Sequence, residues 1–196
     1  MPRYAVGIDL SLTSTGLAAL DLDTGEMSTA AITSSGKRTD RLPQNIPRLM
    51  TLSETIVAGV DQCSPEVVLI ESALFNSGRA DTSAHRRAGL WWTVALELSK
   101  RYRVVEVAPA SLKKFVTGKG NADKFAMGIQ IAKHFGEQAL PDAKADRADA
   151  SGLAALGGYR LRAPGLPDTA YRDAVMDRVC WSTTQGDVDS CVNTTY

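Results

Sequence analysis

Alternating and continuous apolar runs divide the first seventy residues into strands. Residues 3–10 alternate between apolar and small or polar side chains, which places Asp9 on a face of small residues. Strands over 17–22 and 26–33 follow after short polar connections, so the three strands form an antiparallel meander. The continuous apolar run 67–71 predicts a strand buried on both faces, parallel to the first and in the middle of the sheet.

Helical spacing accounts for most of the remaining chain. The segment 34–47 is polar and contains prolines, so we predict a loop there. Asp81 and Asn121 are the expected N-caps of two of the helices. Helices are predicted over residues 48–62, 81–101, 109–116, 122–135 and 146–157, and a fifth strand over 104–107. The sequence therefore predicts an α/β fold with a mixed five-stranded sheet, three antiparallel then two parallel strands, flanked by helices.

The last part of the chain has a different character. Proline, glycine and scattered charges follow Tyr159, and only a short helix over 171–179 is indicated. We therefore expect one domain over residues 1–160, and an irregular C-terminal tail or peripheral arm over 161–196.

Composition narrows the function classes only partly. The hydrophobic content of 44% is sufficient for a core, and the 22 basic and 22 acidic residues cancel. Nucleic-acid binding would therefore need a local cluster of positive charge. The three cysteines lack a C-x-x-C spacing, which predicts free thiols rather than a zinc site or a disulfide framework. No run approaches the ~20 apolar residues of a membrane span, so we expect a soluble, cytoplasmic protein.

Four carboxylates are the candidate chemistry. Glu71 ends the buried strand, where an ionised group is costly without a cation, a donor network or a wet cleft. Asp9 would lie beside it on the parallel strand. Asp146 and Asp149 are three residues apart on one helical face, and the same stripe continues into the apolar residues that pack on the sheet. The four acids can therefore converge on one point.

Such a cluster suits hard cations. Carboxylates without histidine or cysteine favour Mg²⁺ or Mn²⁺ over zinc. Two such ions about 4 Å apart can activate a water and stabilise the leaving oxygen of a phosphodiester. Each acid also has a simpler interpretation, since Asp9 can cap a turn and Asp146 can be a helix N-cap.

A local excess of positive charge lies in the second half of the chain. Between Lys100 and Lys124 there are seven basic residues and two acidic ones. This is the kind of cluster that phosphate contacts require, although Lys100 and Arg101 are equally explained by the preference for cations at a helix C-terminus.

Three motifs carry a resemblance to a known family. They are Gly7-Ile8-Asp9-Leu10-Ser11 with Gly16, Leu69-Ile70-Glu71, and Ala145-Asp146-Arg147-Ala148-Asp149-Ala150. In order and spacing they resemble the RuvC-type Holliday-junction resolvases of the RNase H-like superfamily, over roughly residues 3–160. The resemblance implies a homodimeric endodeoxyribonuclease that nicks four-way DNA junctions with Mg²⁺ or Mn²⁺. It also implies that Asp9, Glu71, Asp146 and Asp149 are the catalytic metal ligands.

The same resemblance extends to the residues that contact DNA. Lys113 and Lys124 match basic positions of the family, and Lys119 lies in the loop between them. The family carries an aromatic wedge after the second acid, which opens base pairs at the junction centre. Here Leu74 and Phe75 occupy that region, followed by Arg79.

Other interpretations of these motifs stay open. The stretch from Gly7 to Gly16 also resembles the first phosphate loop of the sugar-kinase, actin and Hsp70 superfamily, although the chain is short for two such domains. A second alternative is a module that binds branched DNA without cutting it. A third is a broader nuclease that acts on flaps, forks or RNA–DNA hybrids. Trp92 is either additional core or part of a subunit interface.

Overall fold

The architecture is a single mixed sheet with helices on both faces. A computed structural model describes residues 2–37, 39–73, 83–136, 139 and 145–181, without the side chains of residues 145 and 146. The strands are β1 (Tyr4–Asp9), β2 (Ser14–Asp21), β3 (Met27–Thr33), β4 (Val67–Glu71) and β5 (Val104–Val107). The helices are α1 (Leu42–Asp61), α2 (Ala84–Ser99), α3 (Pro109–Thr117), α4 (Lys124–Phe135), α5 (Ala145–Arg160) and α6 (Ala170–Met176).

The strand order confirms the predicted sheet. The order is β3-β2-β1-β4-β5, with β1–β2 and β2–β3 antiparallel and β1–β4 and β4–β5 parallel. Ile8 of β1 is in register with Ile70 of β4. The next residue of each strand is an acid, Asp9 or Glu71, so both carboxylates lie at the same edge of the sheet.

The two faces of the sheet bury different side chains, as the alternation in β1 predicts. Ala5 and Leu69 pack into the core beneath α3, α4 and α5, whereas Val6 and Ile8 pack into the core beneath α1 and α2. Gly7 lies where α5 crosses β1. A Cβ at this position would lie against the carbonyl oxygen of Ala150 and 2.5 Å from the backbone nitrogen of Ala154. The fold therefore needs glycine there for α5 to approach.

The predicted loop over 34–47 is wrong in its second half, because α1 begins at Leu42. Pro43 is in the first helical turn, where a backbone N–H has no intrahelical partner to lose. Pro47 lies inside the helix and removes one hydrogen bond there. Within the predicted helix, Leu52, Ile56 and Val60 are buried, at the spacing of one helical face.

The starts of α2 and α4 differ from the predictions, and so does the position of Trp92. Ser83, not Asp81, is the N-cap of α2, and its core face is centred on Leu90 and Val94. Trp92 is 60% exposed, so its interpretation as additional core is wrong. The N-cap of α4 is Asp123 rather than Asn121, because its carboxylate accepts the N–H of Ala126 at 2.8 Å. No helix of the described residues is long and apolar enough to cross a bilayer.

The described part of the C-terminal segment is packed rather than loose. Val175 of α6 and Val179 are buried in the core that α3, α4 and α5 share. Up to residue 181 the segment is therefore an arm held on the domain, while the boundary at residue 160 stays a prediction.

The cysteine prediction is wrong at Cys180, which is disulfide-bonded, and Cys63 is a free thiol. Pairing depends on the distance between backbones, which spacing in the sequence does not reveal.

Candidate active site

A cleft opens at the edge of the sheet where β1 and β4 end. Its volume is about 310 Å³. The strand ends contribute Asp9 and Glu71, α2 contributes Arg87 and Trp91, and α4 contributes Lys124. Residues from both helical layers therefore face the two strand-borne acids. The remaining lining residues are Leu10, Ser11, Leu12, Ser72, Ala73 and Leu90.

Local hydrogen bonds fix both strand ends. After β1, the hydroxyl of Thr15 accepts the N–H of Ser11 at 3.1 Å and donates to the carbonyl of Ser11 at 2.9 Å. After β4, the indole N–H of Trp91 donates to the carbonyl of Glu71 at 2.8 Å. These contacts hold the backbone next to each acid, so the side chains start from defined positions.

Glu71 lies in an environment that disfavours its charge. Burial raises the pKa of the Glu71 carboxyl to about 7, and the nearby negative charge of Asp149 adds to the rise. Lys124 and Lys113 oppose it, since each favours the ionised form. Glu71 is therefore a partly buried acid close to a second acid. The two lysines lower its pKa, but not as far as the ordinary value of a glutamate.

Asp149 brings α5 into the site. It is only 7% exposed, and its Oδ2 lies 3.6 Å from the Nζ of Lys124. Because Lys124 also lines the cleft, Asp149 lies at the same edge as the two strand-borne acids. The backbone of Asp146 is in the first turn of α5, about one turn before Asp149, so it is not the N-cap. Its side chain lies outside the described part of the structure.

The donor set of this edge consists of carboxylate oxygens. Hard divalent cations prefer such ligands, so Asp9, Glu71 and Asp149 fit Mg²⁺ or Mn²⁺ better than zinc. Among the side chains that the structure describes, no three histidine, cysteine, aspartate or glutamate residues form a ready-made metal-binding group. The predicted ligand set therefore stays a prediction, and the observation that fits it is the position of the partly buried Glu71 close to Asp149.

The predicted DNA-contacting residues are placed in part. Lys113 and Lys124 lie close enough to Glu71 to lower its pKa, so both flank the acidic edge. Lys119 is exposed in the connection after α3, where its N–H donates to the hydroxyl of Thr117 at 3.1 Å. The remaining three, Leu74, Phe75 and Arg79, lie outside the described residues.

Sequence reasoning missed two residues of the cleft, Arg87 and Trp91. They are four apart on α2 and so share one helical face, which is the signal that could have found them. The spacing alone does not show that this face is turned toward the acids, because the orientation of α2 in the fold cannot be read from its own sequence.

Comparison with known proteins decides the family. The family model described as crossover junction endodeoxyribonuclease RuvC matches residues 5–156. The chain belongs to the RuvC family. The crossover junction endodeoxyribonuclease RuvC of Corynebacterium diphtheriae is 31% identical over 155 residues, which cover 79% of this chain and 93% of that protein.

Solved RuvC structures share the fold. The Thermus thermophilus RuvC structure matches with a TM-score of 0.64 at 18% identity, covering 82% of this chain and 96% of that one. T. thermophilus RuvC in complex with Holliday junction substrate matches with a TM-score of 0.62 at 16% identity, over the same shares of the two chains. The predicted RNase H-like fold and the RuvC-type resemblance are confirmed, and membership of the RuvC family displaces the phosphate-loop alternative.

Proposed function

We propose that this RuvC-family chain is a structure-specific endodeoxyribonuclease that resolves four-way DNA junctions by cation-dependent hydrolysis of a phosphodiester. One observation carries the proposal most directly. Glu71 has its pKa raised by burial and by Asp149, while two lysines flank the same edge. Such an edge suits two kinds of partner at once, a divalent cation for the acids and a phosphate backbone for the lysines.

The acids would hold the cations. Asp9, Glu71, Asp146 and Asp149 are the proposed ligands, and Mg²⁺ is the proposed physiological ion, with Mn²⁺ able to replace it. Bound there, such ions supply charge neutralisation and a more acidic water. The chain itself fixes the acids, through the β1–β2 turn, the bond from Trp91 to the backbone of Glu71, and the close approach of α5.

The lysines would hold the scissile strand. Lys113 and Lys124 lie beside the acids, and Lys119 lies in the connection between their helices. Their charges attract the phosphate backbone and offset the repulsion between phosphates and carboxylates. Leu74 and Phe75, which follow Glu71 in the sequence, remain the proposed wedge residues, and Arg79 remains a proposed DNA contact.

A homodimer is part of the proposal. Trp92 and Leu96 of α2 are 60% and 57% exposed, and Trp favours interfaces. The neighbouring start of α1 exposes Leu42, Ile46 and Met50. A second copy covering these side chains would place two cleavage sites on one junction, as symmetric nicking requires. Trp92→Lys should shift the protein from dimer to monomer in sedimentation velocity. Lys133→Glu, an exposed residue of α4 on the opposite face of the sheet, is the control that leaves the dimer intact.

The decisive assay compares substrates side by side. Four-way junction, flap, fork and RNA–DNA hybrid are incubated with the full chain, with and without Mg²⁺. We expect nicking of the junction that needs the cation and is lost in Glu71→Gln, while junction binding by that variant persists. Equal cutting of flaps and forks would favour the broader nuclease. Tight binding of the junction without any nicking would favour the non-cutting module. The proposed location of the enzyme is the cytoplasm, with its DNA substrate.

A further inference from the structure

We propose that the cleft continues into a second phosphate-binding surface on its α2 side, formed by Lys37, Arg41 and Arg87. We call it the loop surface. It would hold the backbone of the DNA duplex that leaves the cleft opposite Lys113 and Lys124. The inference rests on the proposed function, because it assigns a further part of the substrate to the same protein.

Arg87 connects the loop surface with the cleft. It is exposed and lines the cleft from α2, whereas Lys124 lines it from α4. These helices lie on opposite faces of the sheet, since α2 covers the core of Val6 and Ile8 and α4 covers the other core. A strand that passes between Arg87 and Lys124 therefore meets positive charge on both walls, with the acids between them.

The loop that connects β3 with α1 is tied to the cleft wall by arginines. The guanidinium of Arg86 donates to the carbonyl of Asp40 at 2.8 Å, which holds the loop on the first turn of α2. Arg48 donates to the hydroxyl of Ser34 at 2.9 Å and to the carbonyl of Leu12, and Leu12 itself lines the cleft. Both arginines are partly buried. They therefore position the loop rather than face solvent.

The tied loop presents positive charge. Lys37 and Arg41 are exposed, on either side of Asp40. Asp40 is the one acidic residue in the sequence segments 34–48 and 83–90, which together hold six arginines and lysines. Its Oδ2 accepts the N–H of Lys37 at 2.7 Å, so this carboxylate is engaged with the loop backbone. These two segments therefore carry a local excess of positive charge, although the net charge of the whole chain is zero. A phosphate backbone is the kind of partner that such an excess attracts.

The test is binding of a synthetic four-way junction, by fluorescence anisotropy in EDTA so that cleavage does not interfere. The double variant Lys37→Glu/Arg41→Glu is compared with the full wild-type chain over a range of salt concentrations. We expect at least about a tenfold loss of affinity at low salt, and a salt slope smaller by about two, one for each lost phosphate contact. Binding and salt slope equal to those of wild type would overturn the proposal.

Two matched variants separate charge from structure. Lys100→Glu reverses a single charge at the other end of α2, about 20 Å along the helix from Arg87. We expect it to bind like wild type. Lys37→Arg/Arg41→Lys keeps both charges and should also bind like wild type; a loss as large as that of the reversal would refute a role of charge. Nicking of the junction by the wild-type chain tests the proposed function separately. A loop surface that does not contact DNA can therefore be distinguished from a chain that does not cut junctions.

Discussion

Glu71 in the cleft and Arg172 in the C-terminal arm are both charged side chains withdrawn from water, and their surroundings differ. Arg172 is 1% exposed and donates to the carbonyl of Pro167 at 2.7 Å. It donates further to the carbonyl of Phe115 at 3.4 Å and contacts the Nε2 of His134 at 3.2 Å. Its guanidinium also lies 5.4 Å from the centre of the Phe115 ring. The protein itself thus supplies the partners of this cation.

Glu71 is placed next to a like charge instead. Asp149 and burial raise its pKa, and the nearby lysines compensate only in part. A buried charge that the chain satisfies internally is part of the fold, because its removal leaves buried partners unpaired. A charge kept beside a like charge at an open cleft suits a partner from outside. The comparison assigns Arg172 a structural role and Glu71 a functional one.

Removing Arg172 should have the largest effect on stability. Arg172→Met leaves the carbonyls of Pro167 and Phe115 without this donor, and α6 loses this hydrogen bond to α3. We expect the free energy of unfolding to fall by about 2–4 kcal/mol in urea denaturation. Arg162→Met, which removes an exposed partner of Asp168, should change it by less than about 0.5 kcal/mol. Equal losses in the two variants would refute the assigned structural role.

Gly7→Ala tests whether the site depends on the close approach of α5. The added methyl would meet the backbone of Ala150 and Ala154, so α5 has to move away from β1 and carry Asp149 with it. We expect a loss of about 1–3 kcal/mol, together with a loss of junction nicking per folded molecule. Gly89→Ala is the control, because a Cβ there meets nothing within 4 Å. It should stabilise α2 by about 0.5–1 kcal/mol and leave nicking unchanged.

The pH dependence of cation binding tests the environment of Glu71. Its carboxyl has a pKa of about 7 in the cation-free protein, so protons compete with the cation below that pH. The apparent affinity for Mn²⁺ should rise about tenfold between pH 6 and pH 8, about fivefold of it below pH 7, and level off above pH 8. Calorimetric titrations across this range measure it. A flat profile would show that Glu71 does not titrate with the bound ion.

Glu71→Gln should change the stability of the cation-free protein in the opposite direction to Arg172→Met. The folded protein keeps the proton of Glu71 up to about pH 7, whereas the unfolded chain releases it near the ordinary pKa of 4.5. The stability of the cation-free protein should therefore decline as pH rises from about 4.5 to about 7, and Gln removes this decline. At about pH 8 in EDTA, where wild type carries this charge and Gln does not, the variant should be more stable than wild type. A clear destabilisation would place Glu71 with Arg172 as a structural residue.

The parts of the fold that the sequence predicts are those with strong periodicity. The alternation around Asp9 and the continuous run ending at Glu71 specify two neighbouring strands, and the parallel register then brings both acids to one edge. The start of α1 was missed because Pro43 resembles a helix breaker, although the first turn tolerates it.

Contacts made by irregular segments could not be predicted in this way. Scattered charge after Tyr159 resembles a tail, and nothing in its spacing shows that Arg172 would be buried against Phe115. Arg87 was missed for a related reason, because the direction of α2 depends on the loop before it. The loop surface likewise depends on the tertiary contact between Arg86 and Asp40.

Binding of Mn²⁺ tests the central claim most directly, since it needs neither DNA nor cleavage. Electron paramagnetic resonance titrations at about pH 8 compare wild type with Glu71→Gln, Asp149→Asn and the control Glu97→Gln, whose carboxylate pairs with Lys100 far from the cleft. We expect wild type and the control to bind alike, and each cleft variant to bind at least about tenfold more weakly. Equal binding by all four proteins would contradict a cation site formed by these acids.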